Sequence, residues 1–166
     1  MKKRNILLIG AGGVSHVAAH KLAQNNDLFG DIYLASRSIE SCKQILKSIE
    51  RKGNYKDSSK KIQIKQINAL NVSEMVKLIE DFEISITVNL ASAFCNMSIL
   101  EACIKTCSAY IDTAIHEEPY KVCEDPPWYA NYEWKRRDRC KDKITAILGA
   151  GFDPGVVNAY VAYARK

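Results

Sequence analysis

The sequence has no long hydrophobic run. None of its apolar stretches approaches the roughly 20 residues that a membrane-spanning helix needs. The largely basic residues 1–4 lead only into the short apolar run 6–9, which is too short for the core of a secretory signal peptide. We therefore expect a cytoplasmic protein that has no membrane partner.

Metal-binding and redox patterns of cysteine are also missing. The six cysteines are Cys42, Cys95, Cys103, Cys107, Cys123 and Cys140. They contain no C-x-x-C pair, and Cys103 and Cys107, which share a helical face, lack a second ligand pair of matching spacing. His16 and His20 have the spacing of a zinc-binding helix, but Val17 stands where H-E-x-x-H has its glutamate. We predict mostly buried thiols and no metal site.

The sequence also has no long block of charged residues of one sign. The chain has 24 Lys and Arg against 19 Asp and Glu, a net charge of +5, and the basic residues are spread along the sequence. Residues 128–139 mix aromatic and basic side chains, as single-stranded nucleic-acid surfaces do. Because acidic residues interrupt this segment, and Trp128, Tyr132 and Lys135 share one helical face, we favour a solvated helix that packs its aromatic side on a sheet. We expect no nucleic-acid partner.

What the sequence does contain is a regular alternation of strand and helix patterns. Strands are predicted at 5–9, 31–35, 62–67, 84–90, 109–111 and 144–148, and helices at 14–25, 39–49, 71–82, 96–106 and 128–141. Strands separated by helices need crossover connections, which make the sheet parallel and cover both of its faces. Right-handed crossovers then give an α/β fold with a doubly wound, mostly parallel sheet of the Rossmann type, whose crevice lies at the carboxyl ends of the strands. The wetter third strand is expected at an edge.

The first predicted strand ends in a glycine-rich loop. Gly10-x-Gly12-x-x-Ser15 follows the dinucleotide-binding fingerprint except for its third glycine. Gly10 supplies the tight turn, Gly12 allows a pyrophosphate to approach the backbone, and the amides from Gly13 and Val14 onward face the anion. Ser15 adds a hydroxyl that bonds the preceding turn or a phosphate. The alternative is that the glycines only make a turn.

The second predicted strand ends in Ala35-Ser36-Arg37-Ser38, where an NAD enzyme would place an Asp or Glu for the ribose hydroxyls. Arg37 binds a 2′-phosphate through charge-assisted hydrogen bonds, and Ser36 and Ser38 add hydroxyls. These residues favour NADP(H). A merely exposed arginine is disfavoured, because its cation would face the positive end of a helix dipole with no anion present.

Four segments together resemble a known family, the saccharopine dehydrogenase-like reductases. They are Gly10-Ala11-Gly12-Gly13-Val14, Ala35-Ser36-Arg37-Ser38, Tyr110-Ile111-Asp112-Thr113-Ala114 and residues 149–158. Within the family they are most similar to the carboxynorspermidine and carboxyspermidine synthases. The resemblance implies NADPH-dependent reduction of the imine of aspartate β-semialdehyde and a diamine in polyamine biosynthesis. A saccharopine reductase of lysine metabolism and a nucleotide-binding module without turnover remain as alternatives.

The resemblance also implies a domain organisation. Family members insert a substrate-binding and dimerising domain, so we expect residues 1–153 to form the NADP-binding domain. Residues 154–166 would then begin the helix that leads into a domain absent from this chain, and the full-length protein would be a homodimer. The segments 89–94 and 115–118 depart from the family pattern near the expected position of hydride transfer.

The candidate cofactor-binding residues follow the predicted strand ends. They are Gly10, Gly12, Gly13, Val14, Ser15, Ser36, Arg37, Ser38, Asn68, Ala69, Asn89, Leu90, Ala91, Asp112, Thr113 and Gly151. No catalytic residue is assigned. Asp112 and Asp153 each follow a strand-like segment, where a carboxylate orients an amine or iminium. For Asp153 we favour a turn, because Asp-Pro-Gly is a strong turn sequence and Pro154 is a good first residue for a helix.

Overall fold

A computed structural model describes residues 3–118 and 131–166 of the chain. The strands are β1 (Asn5–Ile9), β2 (Ile32–Ser36), β3 (Gln63–Gln66), β4 (Ile84–Asn89), β5 (Ala109–Asp112) and β6 (Ala146–Ile147). The helices are α1 (Gly13–Ala23), α2 (Ile39–Arg51), α3 (Val72–Asp81), α4 (Asn96–Thr106), α5 (Asn131–Trp134), α6 (Arg137–Cys140) and α7 (Val156–Ala164). Short 3₁₀ turns lie at Asn26–Leu28 and Ala93–Cys95. The predictions for Cys123 and residues 128–130 lie outside the described part.

The six strands form one parallel sheet in the order β3-β2-β1-β4-β5-β6. This is the strand order of a doubly wound Rossmann sheet, in which the order of the strands reverses between β1 and β4. The predicted fold is therefore confirmed. The polar strand β3 lies at one edge, as its alternating pattern predicted.

Hydrophobic side chains cover both faces of the sheet. On one face, Met75 and Ile79 of α3 and Leu100 of α4 pack against Leu7 of β1. On the other, α1 and α2 pack against Leu8 and Leu34 through residues such as Ala19, Cys42 and Ile45. The central strands are buried on both sides, which is why their sequences are continuously apolar.

Two of the helices begin at a residue whose side chain caps the helix. Ser38 caps α2 by accepting a hydrogen bond from the Ser41 amide. Asn71 caps α3 by accepting from the amides of Ser73 and Glu74, and the Glu74 carboxylate accepts from the Asn71 side chain at 2.7 Å. Ser and Asn are typical capping residues, because their side-chain oxygens satisfy amides that a helix start leaves free.

The carboxyl-terminal third differs from the predictions. Within its described part, the expected long helix is two short ones, separated at Lys135 and Arg136. Of the predicted aromatic face, Tyr132 packs on the His116 ring and Lys135 is exposed, while Trp128 lies outside the described residues. Pro154 is not the first residue of α7. Its carbonyl accepts the Gly151 amide in a turn, and the helix begins only after that turn. No helix among the described residues is long and apolar enough to cross a membrane.

Candidate functional site

A cleft of about 560 Å³ opens at the carboxyl ends of the central strands. Its lining includes eight of the predicted residues: Gly10, Gly12, Ser36, Arg37, Asn68, Ala69, Leu90 and Ala91. The loops after β1, β2, β3 and β4 contribute them, at the position where doubly wound sheets bind ligands. Eight other lining residues were not among the predicted ones: Ile9, Ala11, Ser41, Ile67, Leu70, Ser92, Phe94 and Cys95.

Gly10 lies where the loop after β1 contacts the loop after β4. Its φ is +108°, and a Cβ at this position would lie 2.5 Å from the Leu90 carbonyl oxygen. Its amide donates to the Ala35 carbonyl at 2.8 Å, and the Leu90 amide donates to the Ile9 carbonyl at the same distance. The fold itself therefore requires glycine at position 10, both for the backbone angle and for the close approach.

Gly12 and Gly13 are different, since a Cβ at either position would meet no protein atom within 4 Å. Gly12 has φ −89° and ψ −170°, which any residue adopts. Neither the backbone nor the packing requires glycine there, whereas a ligand that approaches the backbone would. No side chain caps α1 and its first turn has no acidic residue, so the amides of Gly13, Val14 and Ser15 are available to an anion.

Ser15 occupies the position of the third fingerprint glycine. Its side chain is fully buried, and its Oγ has no hydrogen-bond partner within the described part of the chain. The expected bond to the preceding turn is therefore not present. The buried position assigns Ser15 to the packing of α1 against the sheet, where only a small residue fits.

The loop from β2 to α2 carries a cation and three hydroxyls. Arg37 is exposed, and in the described ranges no carboxylate forms an ion pair with it. Ser36 Oγ accepts from the Ser38 amide at 3.3 Å, and Ser38 Oγ accepts from the Ser41 amide at 3.2 Å and its hydroxyl at 2.9 Å. Gln66 donates to the Arg37 carbonyl at 3.0 Å, which ties the end of β3 to this loop. Ser41 stands three residues after the capping residue Ser38, and this spacing was the signal in the sequence that could have identified it.

Asn89 is a predicted site residue that does not line the cleft. It is 2% exposed. Its Nδ2 donates to Asn96 Oδ1 at 2.8 Å and to the Tyr110 hydroxyl at 3.1 Å, while its Oδ1 accepts from the Ala91 amide at 3.1 Å. Asn89 therefore supports the cleft wall from beneath.

Asp112 is likewise buried behind the cleft, at 1% exposure. Its carboxylate accepts from the Tyr110 hydroxyl at 2.8 Å and the Gly149 amide at 2.7 Å. Burial raises the pKa of Asp112 to about 6, although these two donors oppose the rise. Burial also raises the pKa of Tyr110 well above its usual range.

Thr113 and Gly151 contact each other on the β5 side. A Cβ on Gly151 would lie 2.7 Å from the Thr113 carbonyl oxygen, so the packing of these two loops already requires glycine at position 151. Neither residue is among those that line the cleft.

The two histidines of α1 bridge to α2. His16 Nε2 and His20 Nε2 lie 3.1 and 3.2 Å from Ser48 Oγ, and their rings stack with centroids 5.0 Å apart. Burial lowers the pKa of His20. Among the described residues no group of three His, Cys, Asp or Glu side chains could hold a metal ion.

Comparison with known proteins gives a consistent result. The family model described as saccharopine dehydrogenase NADP binding domain matches residues 6–148. Carboxynorspermidine synthase of Vibrio cholerae serotype O1 is 46% identical over 163 residues, and carboxyaminopropylagmatine dehydrogenase of Synechocystis sp. is 37% identical over 162. The matches cover 98% and 97% of this chain but only 39% and 37% of those relatives. Apo saccharopine dehydrogenase (L-Glu forming) of Saccharomyces cerevisiae matches 97% of this chain and 30% of its own, with a TM-score of 0.71 at 15% identity, which shows the shared fold.

Proposed function

The chain belongs to the saccharopine dehydrogenase NADP-binding-domain family, and from this premise we propose that it binds NADP(H) for an oxidoreductase of polyamine biosynthesis. The reaction we propose is reduction of the imine between aspartate β-semialdehyde and a diamine. NADP is also the cofactor in the family's description, as the residues after β2 predicted.

One observation carries the proposal: Gly12 and Arg37, which offer two different features for binding anions, line the same cleft. Gly12 and Gly13 leave the start of α1 open, which fits a pyrophosphate. Arg37, without a carboxylate partner among the described residues, lies between Ser36 and Ser38, which fits a 2′-phosphate. An NAD-specific site would place a carboxylate there.

These residues bind and orient, and the bound nucleotide supplies the hydride. Gly12 leaves space for the pyrophosphate, and the amides of Gly13 and Val14 donate to it. Ser36, Arg37 and Ser38 would hold the 2′-phosphate, and Asn68 and Ala69 line the same cleft. Leu90 and Ala91 would form a wall beside the cofactor, whereas Thr113 and Gly151 lie outside the lining of the cleft.

The substrate is proposed from the relatives. Their names refer to carboxynorspermidine and carboxyaminopropylagmatine, and the chain spans about two fifths of their length. The semialdehyde and diamine substrates, the boundary at residue 153 and the homodimer therefore remain predictions. A saccharopine reductase has the support of the family's description and of a shared fold at 15% identity, whereas the relatives at 46% and 37% identity favour the polyamine assignment. No comparable observation favours a module without turnover.

The test measures the affinity of the chain for NADPH and NADH by fluorescence titration. Arg37→Ala should weaken NADPH binding by about tenfold or more, because charge-assisted hydrogen bonds are lost, and leave NADH binding unchanged. Ser36→Asp should reverse the preference, since its carboxylate repels a 2′-phosphate and accepts from the ribose hydroxyls.

Arg51→Ala is the matched control, since Arg51 is an exposed arginine at the other end of α2. It should change neither affinity. Equal affinity of the unmodified chain for NADPH and NADH would contradict the assignment of the 2′-phosphate site.

A further inference from the structure

A continuous buried hydrogen-bond network lies beneath the loops on the β5 side of the cleft. The Ala91 amide donates to Asn89, and Asn89 donates to the Tyr110 hydroxyl at 3.1 Å. Tyr110 donates to Asp112 at 2.8 Å, and Asp112 accepts from the Gly149 amide at 2.7 Å. The network therefore connects the loop after β4 to the loop after β6 through side chains of β4 and β5.

A branch of the network reaches the loop after β5. Asn89 donates to Asn96 Oδ1 at 2.8 Å, and Asn96 Nδ2 donates to the Ala114 carbonyl at 2.7 Å. Asn89, Asn96, Tyr110 and Asp112 are each at most 2% exposed. Three loops at the carboxyl edge are thus positioned by one set of buried side chains.

Residues 149–155 form a compact turn at this edge. Gly149 has φ +63°, and a Cβ on it would lie 2.8 Å from Pro154 Cγ. The Gly151 amide donates to the Pro154 carbonyl, and the Ala150 amide donates to the Asp112 carbonyl at 2.8 Å. The turn is therefore closed on itself, and Asp112 connects it to the sheet through two hydrogen bonds, one to its carboxylate and one to its backbone carbonyl.

The charge on Asp112 matters for this connection. An ionised carboxylate accepts from both Tyr110 and Gly149, and such bonds are stronger than those to a neutral acid. The titratable groups that face it are Tyr110 on β5 and Glu133 on α5, with Cys103 of α4 beside Tyr110. Glu133 is itself 4% exposed and accepts from the His116 amide at 2.7 Å.

We propose that Asp112 is a positioning residue, whose buried carboxylate anchors the turn 149–155 to the sheet and aligns it with the loops after β4 and β5 for cofactor binding. It acts through Gly149 and Tyr110 and does not contact the cofactor. The inference rests on the proposed function, because the loop after β4, one of the loops that Asp112 aligns, lines the proposed NADP(H) site.

The anchoring is tested without cofactor, by ¹H–¹⁵N NMR of the glycine-labelled chain. The Gly149 amide should lie downfield at neutral pH and titrate with a midpoint at about 6, the pKa of Asp112. In Asp112→Asn this titration should disappear. A Gly149 amide that shows no titration between pH 3 and 8, or titrates identically in Asp112→Asn, would overturn the proposal.

Tyr110→Phe supplies a second variant that keeps the carboxylate. Because the lost hydroxyl stabilises the ionised form, the Gly149 midpoint should move upward in this variant. A midpoint that stays in place or moves downward counts against the network. Asp142→Asn is the matched control, since Asp142 is an exposed aspartate between α6 and β6 and should leave the Gly149 titration unchanged.

The consequence for binding is measured as NADPH affinity at pH 8. Asp112→Asn should weaken it about tenfold, the equivalent of one hydrogen bond to a charged group, while far-ultraviolet circular dichroism stays unchanged. A single pH is used because the 2′-phosphate itself titrates near pH 6. Unchanged NADPH affinity in Asp112→Asn, with the Gly149 amide shifted, would overturn the positioning role alone. Failure of the unmodified chain to bind NADPH would contradict the proposed function, while the Gly149 titration still tests the anchor.

Discussion

Substitution of alanine at Gly12 and at Gly10 should distinguish a glycine that cofactor binding requires from a glycine that folding requires. At Gly12 an added Cβ meets no protein atom within 4 Å, and the backbone angles suit alanine. Alanine reduces the entropy of the unfolded chain, which stabilises by about 0.4–1 kcal/mol, and is a poorer helix cap, which costs a similar amount. The free energy of unfolding should therefore change by less than about 1 kcal/mol.

The same substitution at Gly10 has a large predicted cost. A residue with a Cβ at φ +108° costs about 1–3 kcal/mol. The Cβ would also lie 2.5 Å from the Leu90 oxygen and 2.7 Å from the Leu90 carbonyl carbon, which are backbone atoms that move only if β1 and β4 separate. Overpacking of this kind adds about 1–3 kcal/mol. Gly10→Ala should lose about 3 kcal/mol or more.

The assays are urea unfolding and NADPH titration at the same pH. Gly12→Ala should unfold like the unmodified chain and bind NADPH at least about tenfold more weakly, because its methyl group displaces the pyrophosphate from the helix amides. Gly53→Ala is the control for backbone angle, since Gly53 has φ +61° but no atom within 4 Å of its Cβ position. The reasoning is refuted if Gly12→Ala binds NADPH normally, or if Gly10→Ala is as stable as Gly53→Ala.

Two further predictions concern interactions outside the cleft. Asn71→Ala removes the cap of α3 and should lower the free energy of unfolding by about 1 kcal/mol, whereas Asn158→Ala on the exposed α7 should not. Glu101 accepts two hydrogen bonds from Arg139, which hold the pKa of Glu101 below its usual value. The pair therefore stabilises the chain above the ordinary glutamate pKa and loses this effect as pH falls through the lowered value. Arg139→Ala should lower the urea midpoint slightly at pH 7 but not at pH 2.5, and an equal change at both pH values would contradict this.

The alternation of apolar strands and amphipathic helices was enough to predict the sheet. A run such as 6–9 is buried on both faces only in a parallel sheet covered by helices, so its composition predicted its surroundings. The caps at Ser38 and Asn71 were also predictable, because each bond joins residues two or three apart. The break between α5 and α6 could not be predicted from the sequence pattern. The aromatic face of that segment predicted one helix, but the helix is interrupted at Lys135 and Arg136, and the Tyr132 ring of that face packs on His116.

The roles of the two buried polar residues could not be predicted from strand ends alone. Asn89 and Asp112 are the last residues of β4 and β5, and Asn89 pairs with both Ile9 and Asp112 in the sheet register. Asn89 and Asp112 are buried and do not line the cleft, whereas Leu90, the residue after Asn89, does. A difference of one position therefore separates a residue that supports the site from one that faces it.

The pairing of Asn89 with Asp112 in the sheet is a signal that could have identified these two residues as buried supports of the site. Two polar residues at paired positions of neighbouring buried strands must hydrogen-bond with each other or with a shared partner, because an unpaired buried polar group is costly. In this chain the shared partner is Tyr110, which accepts from Asn89 and donates to Asp112. Tyr110 lies two positions before Asp112 on β5, so its side chain emerges on the same face of the sheet. The pattern Asn at the end of one strand with Tyr-x-Asp at the end of the next thus predicts a buried network that positions the adjacent loops.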